Sequence, residues 1–168
     1  NILKDKEMIS DITKYGFILF MVRLISKRSI NDQKWIELFL YFMISIIIYH
    51  AFFKKMFSVI KFPNKNIIEL CKFACFIIVF RLLSYDNINF DWLNNLVYIL
   101  ISIFIADTIT DILRIKNEKM KVFIQDNLRF IMIFFVFTTF NNTSFIDTNN
   151  LKELSLFLVS IVTYNLII

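Results

Sequence analysis

Glycine, proline and histidine each occur once in the 168 residues, and alanine only three times. Dinucleotide-binding turns and phosphate-binding loops need several glycines for close backbone approach, so neither fits this chain. A single histidine, His50, excludes a multi-histidine zinc site. The two cysteines, Cys71 and Cys75, lie four apart in an apolar run; a bridge between them on one helix face would be strained, and packed, reduced thiols are expected. Charged residues make up only 20%, against about a quarter in soluble domains.

Apolar residues fill the space. Hydrophobic residues account for 58% and aromatics for 17%, with 21 Phe and 31 Ile. A soluble domain of this length would leave much of that surface in water, so an all-α integral membrane protein is expected. The formal net charge of +5 then points to loops facing anionic headgroups before it points to nucleic acid, which is not an expected partner. Ile, Phe, Asn and Lys have A/T-rich codons, so the bias implies an A+T-rich genome. No signal peptide is expected: Arg23, Lys27 and Arg28 follow the first apolar stretch, without a cleavage pattern.

Three segments read as spans: Trp35–Phe53, Trp92–Thr110 and Asn150–Ile168, each of 19 residues, or about 28 Å as a helix. Shorter segments of 16 residues precede them, Asp11–Ser26, Glu69–Ser84 and Asp126–Asn141, and are marginal as spans. No strand-like alternation is sustained, so six helices are expected. Trp35, Tyr41 and Ser45 align without a gap on Trp92, Tyr98 and Ser102, an offset of 57 residues, and Ser160 extends the series. An acid-x-x-base-aromatic pattern recurs as Asp11/Lys14/Tyr15, Glu69/Lys72/Phe73 and Asp126/Arg129/Phe130. The chain therefore reads as a single membrane domain, 1–168, of three pseudo-repeated helical hairpins (11–53, 69–110 and 126–168) with basic connectors at 54–68 and 111–125. Mitochondrial carriers share three hairpins and an acid-x-x-base signature, but their repeats are longer and the proline of their motif has no counterpart here.

The hairpin tips carry three Lys/Arg and the opposite side thirteen. By the positive-inside rule both termini and both connectors belong on the cytoplasm-equivalent side. Lys54, Lys55, Lys61, Lys65, Arg114, Lys116, Lys119 and Lys121 are expected to face lipid or an acidic partner. Ser45, Ser102 and Ser160 are small hydroxyl residues suited to close helix packing, and Trp35 and Trp92 sit where interfacial anchors belong. His50, Asp107 and Asn165 hold equivalent repeat positions and read as polar helix ends. Arg23, Arg81, Glu37 and Asp107 read as charges near enough to an end to snorkel, and each acid-x-x-base motif as an i,i+3 pair within one helix. Asn141 to Ser144 contain two overlapping glycosylation sequons.

No serine–histidine–acid set, paired carboxylates or metal-ligand spacing is present, so neither catalysis nor a cofactor is expected. A structural scaffold in a larger assembly is the expected role, with the bilayer and other membrane or capsid proteins as partners. The A/T-coded composition and small size resemble those of multi-spanning membrane proteins of large DNA viruses, which tie an inner membrane to the capsid shell. That resemblance implies a minor capsid or inner-membrane protein of a virion. An accessory subunit of an organellar membrane complex, or a small pseudo-threefold channel, are the alternatives.

Overall fold

A computed structural model describes residues 5–28, 30–62, 64–84, 92–140 and 148–167, with side chains 148–150 outside the description. Every regular element among these residues is helical: α1 (Lys6–Ile25), α2 (Gln33–Ile48), a π-helical turn (Tyr49–Phe53), α3 (Lys54–Val59), α4 (Lys65–Ser84), α5 (Trp92–Leu113), α6 (Glu118–Phe140) and α7 (Thr148–Ile167). α2, the π-turn and α3 form one continuous helix of 27 residues, so the chain makes the six helices its periodicity predicts. The sequons and the tips at 85–91 and 142–147 lie outside the described residues.

The helices outrun their apolar cores because polar residues cap them. Asp5 accepts from the Glu7 and Met8 N–H groups at the start of α1. Asp32 does the same for Lys34 in α2, Asn64 for Asn66 in α4 and Asn117 for Lys119 in α6. These side chains satisfy amide groups that a helix leaves without internal partners. The expected connectors at 54–68 and 111–125 are consequently mostly helix, and the true links are 60–64 and 114–117. Two other ends turn through left-handed residues, Lys27 (φ 58°) and Arg114 (φ 50°).

The chain divides into two compact units, Asn1–Phe90 and Asp91–Ile168. In the first, α2 packs against α1 and α4. α1 and α2 are antiparallel: Asp5, preceding α1, meets Lys54 beyond α2, while Arg23 near the end of α1 meets Asp32 and the Trp35 ring. The core is Met43, Ile46, Tyr49 and Phe76. Tyr15, Phe42, Phe73 and Tyr49 present ring edges or faces to Phe76 at centroid distances of 5.4–6.4 Å, a favourable arrangement for aromatic quadrupoles.

In the second unit α6 packs between α5 and α7. Tyr98, early in α5, stacks on Phe140 at the end of α6 (4.9 Å), so these helices are also antiparallel. Phe130 and Phe134 of α6 meet Phe157 of α7. α4 falls in the first unit and α5 in the second. The packed pairs that recur are those flanking each connector, α2 with α4 and α5 with α6.

Gln33–Val59, Trp92–Leu113 and Glu118–Phe140 are long and apolar enough to cross a bilayer. Two of these were read as spans from sequence, and the third extends a segment read as marginal. α6, which contains a segment read as marginal, has the required length because its apolar run is preceded by a capped amphipathic turn. α7, read as a span running to Ile168, is described as far as Ile167, with Lys152 and Glu153 in its first turns.

Candidate buried ionic sites

Each unit buries a charged cluster at the helix pair beside its connector. In the second unit Asp107 of α5 is fully buried. The Arg129 guanidinium of α6 donates to both its carboxylate oxygens, Nε to Oδ1 at 2.8 Å and Nη2 to Oδ2 at 2.9 Å. Gln125, one turn earlier on α6, donates to Oδ1 at 2.9 Å. This fork-to-fork geometry is the strongest pairing available to a carboxylate and a guanidinium. Asp126 is buried on the same helix.

In the first unit the corresponding positions hold His50 and Lys72, both basic, and α1 supplies the acid between them. Asp11 Oδ2 lies 2.9 Å from His50 Nε2 and 2.8 Å from Lys72 Nζ. The same carboxylate oxygen thus serves both an ammonium on α4 and an imidazole nitrogen on the π-turn. His50 Nδ1 faces Asp5 Oδ2 at 3.5 Å. Lys54 Nζ closes the network onto Glu7 (2.8 Å) and Asp5 (3.3 Å), and Lys72 also approaches Glu7 at 3.6 Å. Rings of Phe73 and Phe76 lie 5.8 and 5.9 Å from the Lys72 ammonium.

The π-turn lies within this network: its i→i+5 bonding accommodates one additional residue between His50 and Lys54, both of which reach acids at the start of α1. Partial burial alone would raise the Asp5 carboxyl, but the Met8 N–H, the Lys54 ammonium and His50 outweigh it and hold it below its usual value. Glu7 is likewise raised by burial and lowered further by Lys54, Lys72 and His50, with a net decrease. Both acids sit at the entry to α1, outside its apolar stretch.

These sites correct two sequence expectations and add to a third. Asp107 does not snorkel: α5 continues six residues beyond it, about 9 Å, and the carboxylate is turned onto α6. His50 is a buried, paired group and not an interfacial end. The bases Lys72 and Arg129 of the acid-x-x-base motif, read as partners within one helix, also reach across to neighbouring helices. The offset of 57 that aligns Ser45 with Ser102 also aligns His50 with Asp107 and Lys72 with Arg129. That coincidence was the available signal, and it indicates contact where a single helix indicates only position.

The remaining singled-out residues fall as follows. Ser45, Ser102 and Ser160 are fully buried and donate to the carbonyls of Phe42, Tyr98 and Leu156 on their own helices. Asn165 donates to Ile161 O on α7. Trp35 and Trp92 lie in the first turns of α2 and α5 and are half-buried; no described group accepts from the Trp92 indole N–H. Lys55, Lys61, Lys65, Arg114, Lys116 and Lys119 are exposed and Lys121 is half-buried, whereas Lys54 is engaged with acids. Among the described residues no group of three or more His, Cys, Asp or Glu is arranged for a metal ion; ammonium groups occupy the clustered acids. Cys71 and Cys75 are free thiols.

Comparison with protein-family models, curated proteins and solved structures finds no match to this chain. Its function must be read from its own residues.

Proposed function

We propose that the chain is a multi-spanning membrane scaffold whose basic connector side docks on an acidic surface in a larger assembly. The observation that carries this reading is inverted polarity. Phe52 and Ile112 are each 71% exposed, while Asp107, Lys72 and Arg129 are buried. In water such a distribution would leave a large apolar surface unpaid for by any core; in a bilayer the outward Ile, Leu and Phe are solvated by lipid. Intramembrane ionisable groups commonly mark transport. Here the two central acids are engaged by neighbouring bases, Asp107 by Arg129 and Asp11 by His50 and Lys72. That arrangement supports helix clasping over conduction.

The thirteen-to-three Lys/Arg asymmetry supports both termini and both connectors on the cytoplasm-equivalent side. Composition supports a virion inner membrane as the setting, tied to the capsid by the basic links; an organellar complex is the second setting. Purified protein reconstituted in liposomes tests the role. We expect resistance to alkaline extraction and no saturable ion or solute flux. Saturable flux abolished by Asp107→Asn or His50→Gln would overturn the scaffold reading in favour of a channel.

A further inference from the structure

The outward face of the continuous 27-residue helix carries more than a lipid-facing stripe. Its exposed apolar residues are Ile36, Leu40, Ile44, Ile47, Phe52, Met56 and Val59. The steps between them are four, four, three, five, four and three residues. The single step of five falls on the π-turn. An uninterrupted α-helix would bring Ala51, Lys54 or Lys55, and Ser58 onto this stripe. The additional residue keeps the stripe apolar to Val59 while Lys54 turns inward to Asp5 and Glu7.

At 1.5 Å per residue the helix is about 40 Å long, some 10 Å more than the hydrocarbon core. The excess, about seven residues, corresponds to α3 and the last residue of the π-turn. There Val59 is 82% exposed and Ile60 50% exposed, and Lys55, Lys61 and Lys65 are exposed beside them. On either side of the corner, Phe57 packs on Tyr49 and Phe62 (6.4 and 6.2 Å), and Asn64 caps α4.

We infer that the α3 corner is a binding site for anionic phospholipid, with Met56, Val59 and Ile60 in the acyl boundary and Lys55, Lys61 and Lys65 on the headgroup phosphates. The inference rests on the membrane reading above. Apolar side chains at this depth need acyl partners, and three unneutralised ammonium groups beside them need anions. A folded acidic protein at this corner would meet the charges and leave Val59 without an apolar partner, so docking of the proposed assembly falls to the second link, with Arg114, Lys116 and Lys119.

The test places a tryptophan at the corner, Val59→Trp in a Trp35→Phe/Trp92→Phe background, in vesicles containing brominated phosphatidylglycerol or brominated phosphatidylcholine. We expect quenching to report roughly fivefold local enrichment of the anionic lipid. The enrichment should vanish with Lys55→Gln/Lys61→Gln/Lys65→Gln and shrink in about 1 M salt. Equal quenching by both lipids would overturn the site while leaving the chain in the bilayer. Absence of quenching in vesicles that retain the protein through alkaline extraction would overturn the site alone; release on extraction would overturn the membrane reading with it. Should the tryptophan-free background fail to fold, a bimane on Val59→Cys, in Cys71→Ser/Cys75→Ala, gives the same readout.

Discussion

At positions 57 residues apart the first unit buries His50 and Lys72, and the second buries Asp107 and Arg129. The second pair joins two helices through one bidentate contact of opposite charges. The first brings two bases together and requires Asp11 from a third helix, which in turn draws Asp5, Glu7 and Lys54 into the network. One register position thus accepts opposite charges, provided the surrounding helices supply the complement. The difference is between a clasp concentrated in one bidentate contact and one spread over three carboxylates.

The largest effect should come from breaking the concentrated clasp. Arg129→Met leaves Asp107 buried without its main partner and should cost about 3–5 kcal/mol in a denaturation titration of the detergent-solubilised protein. Replacing both, Asp107→Leu with Arg129→Met, should restore most of that loss, since the pair as a unit is worth little more than apolar packing. In the first unit Asp11→Asn should cost less, about 1–3 kcal/mol, because Glu7 still reaches Lys72 and Asp5 still faces His50. A loss at Asp11 matching that at Arg129 would show that the first network also hangs on one contact.

The six helices were legible because apolar runs bounded by polar residues carry their own signal. Trp35, Ser45 and their counterparts gave the 57-residue offset. The ionic sites were not legible as sites. Asp107 lies near the end of an apolar run, where a charge that reaches water and a charge that reaches another helix look alike. Deciding between them needs the position of Arg129, set by the packing of α5 on α6. The π-turn was hidden for a related reason: Lys54 and Lys55 end the apolar run and resemble the start of a loop. Only the acids at the entry to α1 show why the helix continues through them. Capping by Asp5, Asp32, Asn64 and Asn117 follows an ordinary preference, and those four residues could have set the helix starts from sequence.

The two units also differ in how a cap responds to acid. Asp5 caps α1 with a carboxylate whose pKa is lowered in the folded protein, and Glu7 beside it is lowered too. A depressed carboxylate stabilises the fold above its unfolded pKa, and the contribution disappears as pH falls through the folded value. Protection of the Glu7 and Met8 amides from hydrogen exchange should therefore fall below the ordinary carboxylate range. The Lys119 and Met120 amides, which Asn117 caps through an amide oxygen, should keep their protection over the same range. Equal loss at both helix starts would show that acid opens the fold generally and not through the α1 acids.

The smallest effects concern glycine, which this chain places where the backbone has no need of it. Gly16 lies inside α1, and a Cβ there would meet Met43 Sδ at 3.5 Å and Phe39 Cζ at 3.6 Å, ordinary contacts with flexible or mobile-ended side chains. Gly16→Ala should accordingly stabilise the first unit by about 0.5–1 kcal/mol through helix propensity. The left-handed positions that favour glycine are instead held by Lys27 and Arg114, where a β-carbon crowds the carbonyl oxygen. Lys27→Gly and Arg114→Gly should each gain up to about 1 kcal/mol, one in each unit. Arg114→Asn separates conformation from charge, because asparagine tolerates the left-handed region and removes the same cation. If asparagine and glycine stabilise alike while Arg114→Ala does not, backbone strain is what the arginine bears. If Arg114→Ala stabilises equally, relief of repulsion from Lys116 and Lys119 is the cause, and the two helix ends are then not equivalent.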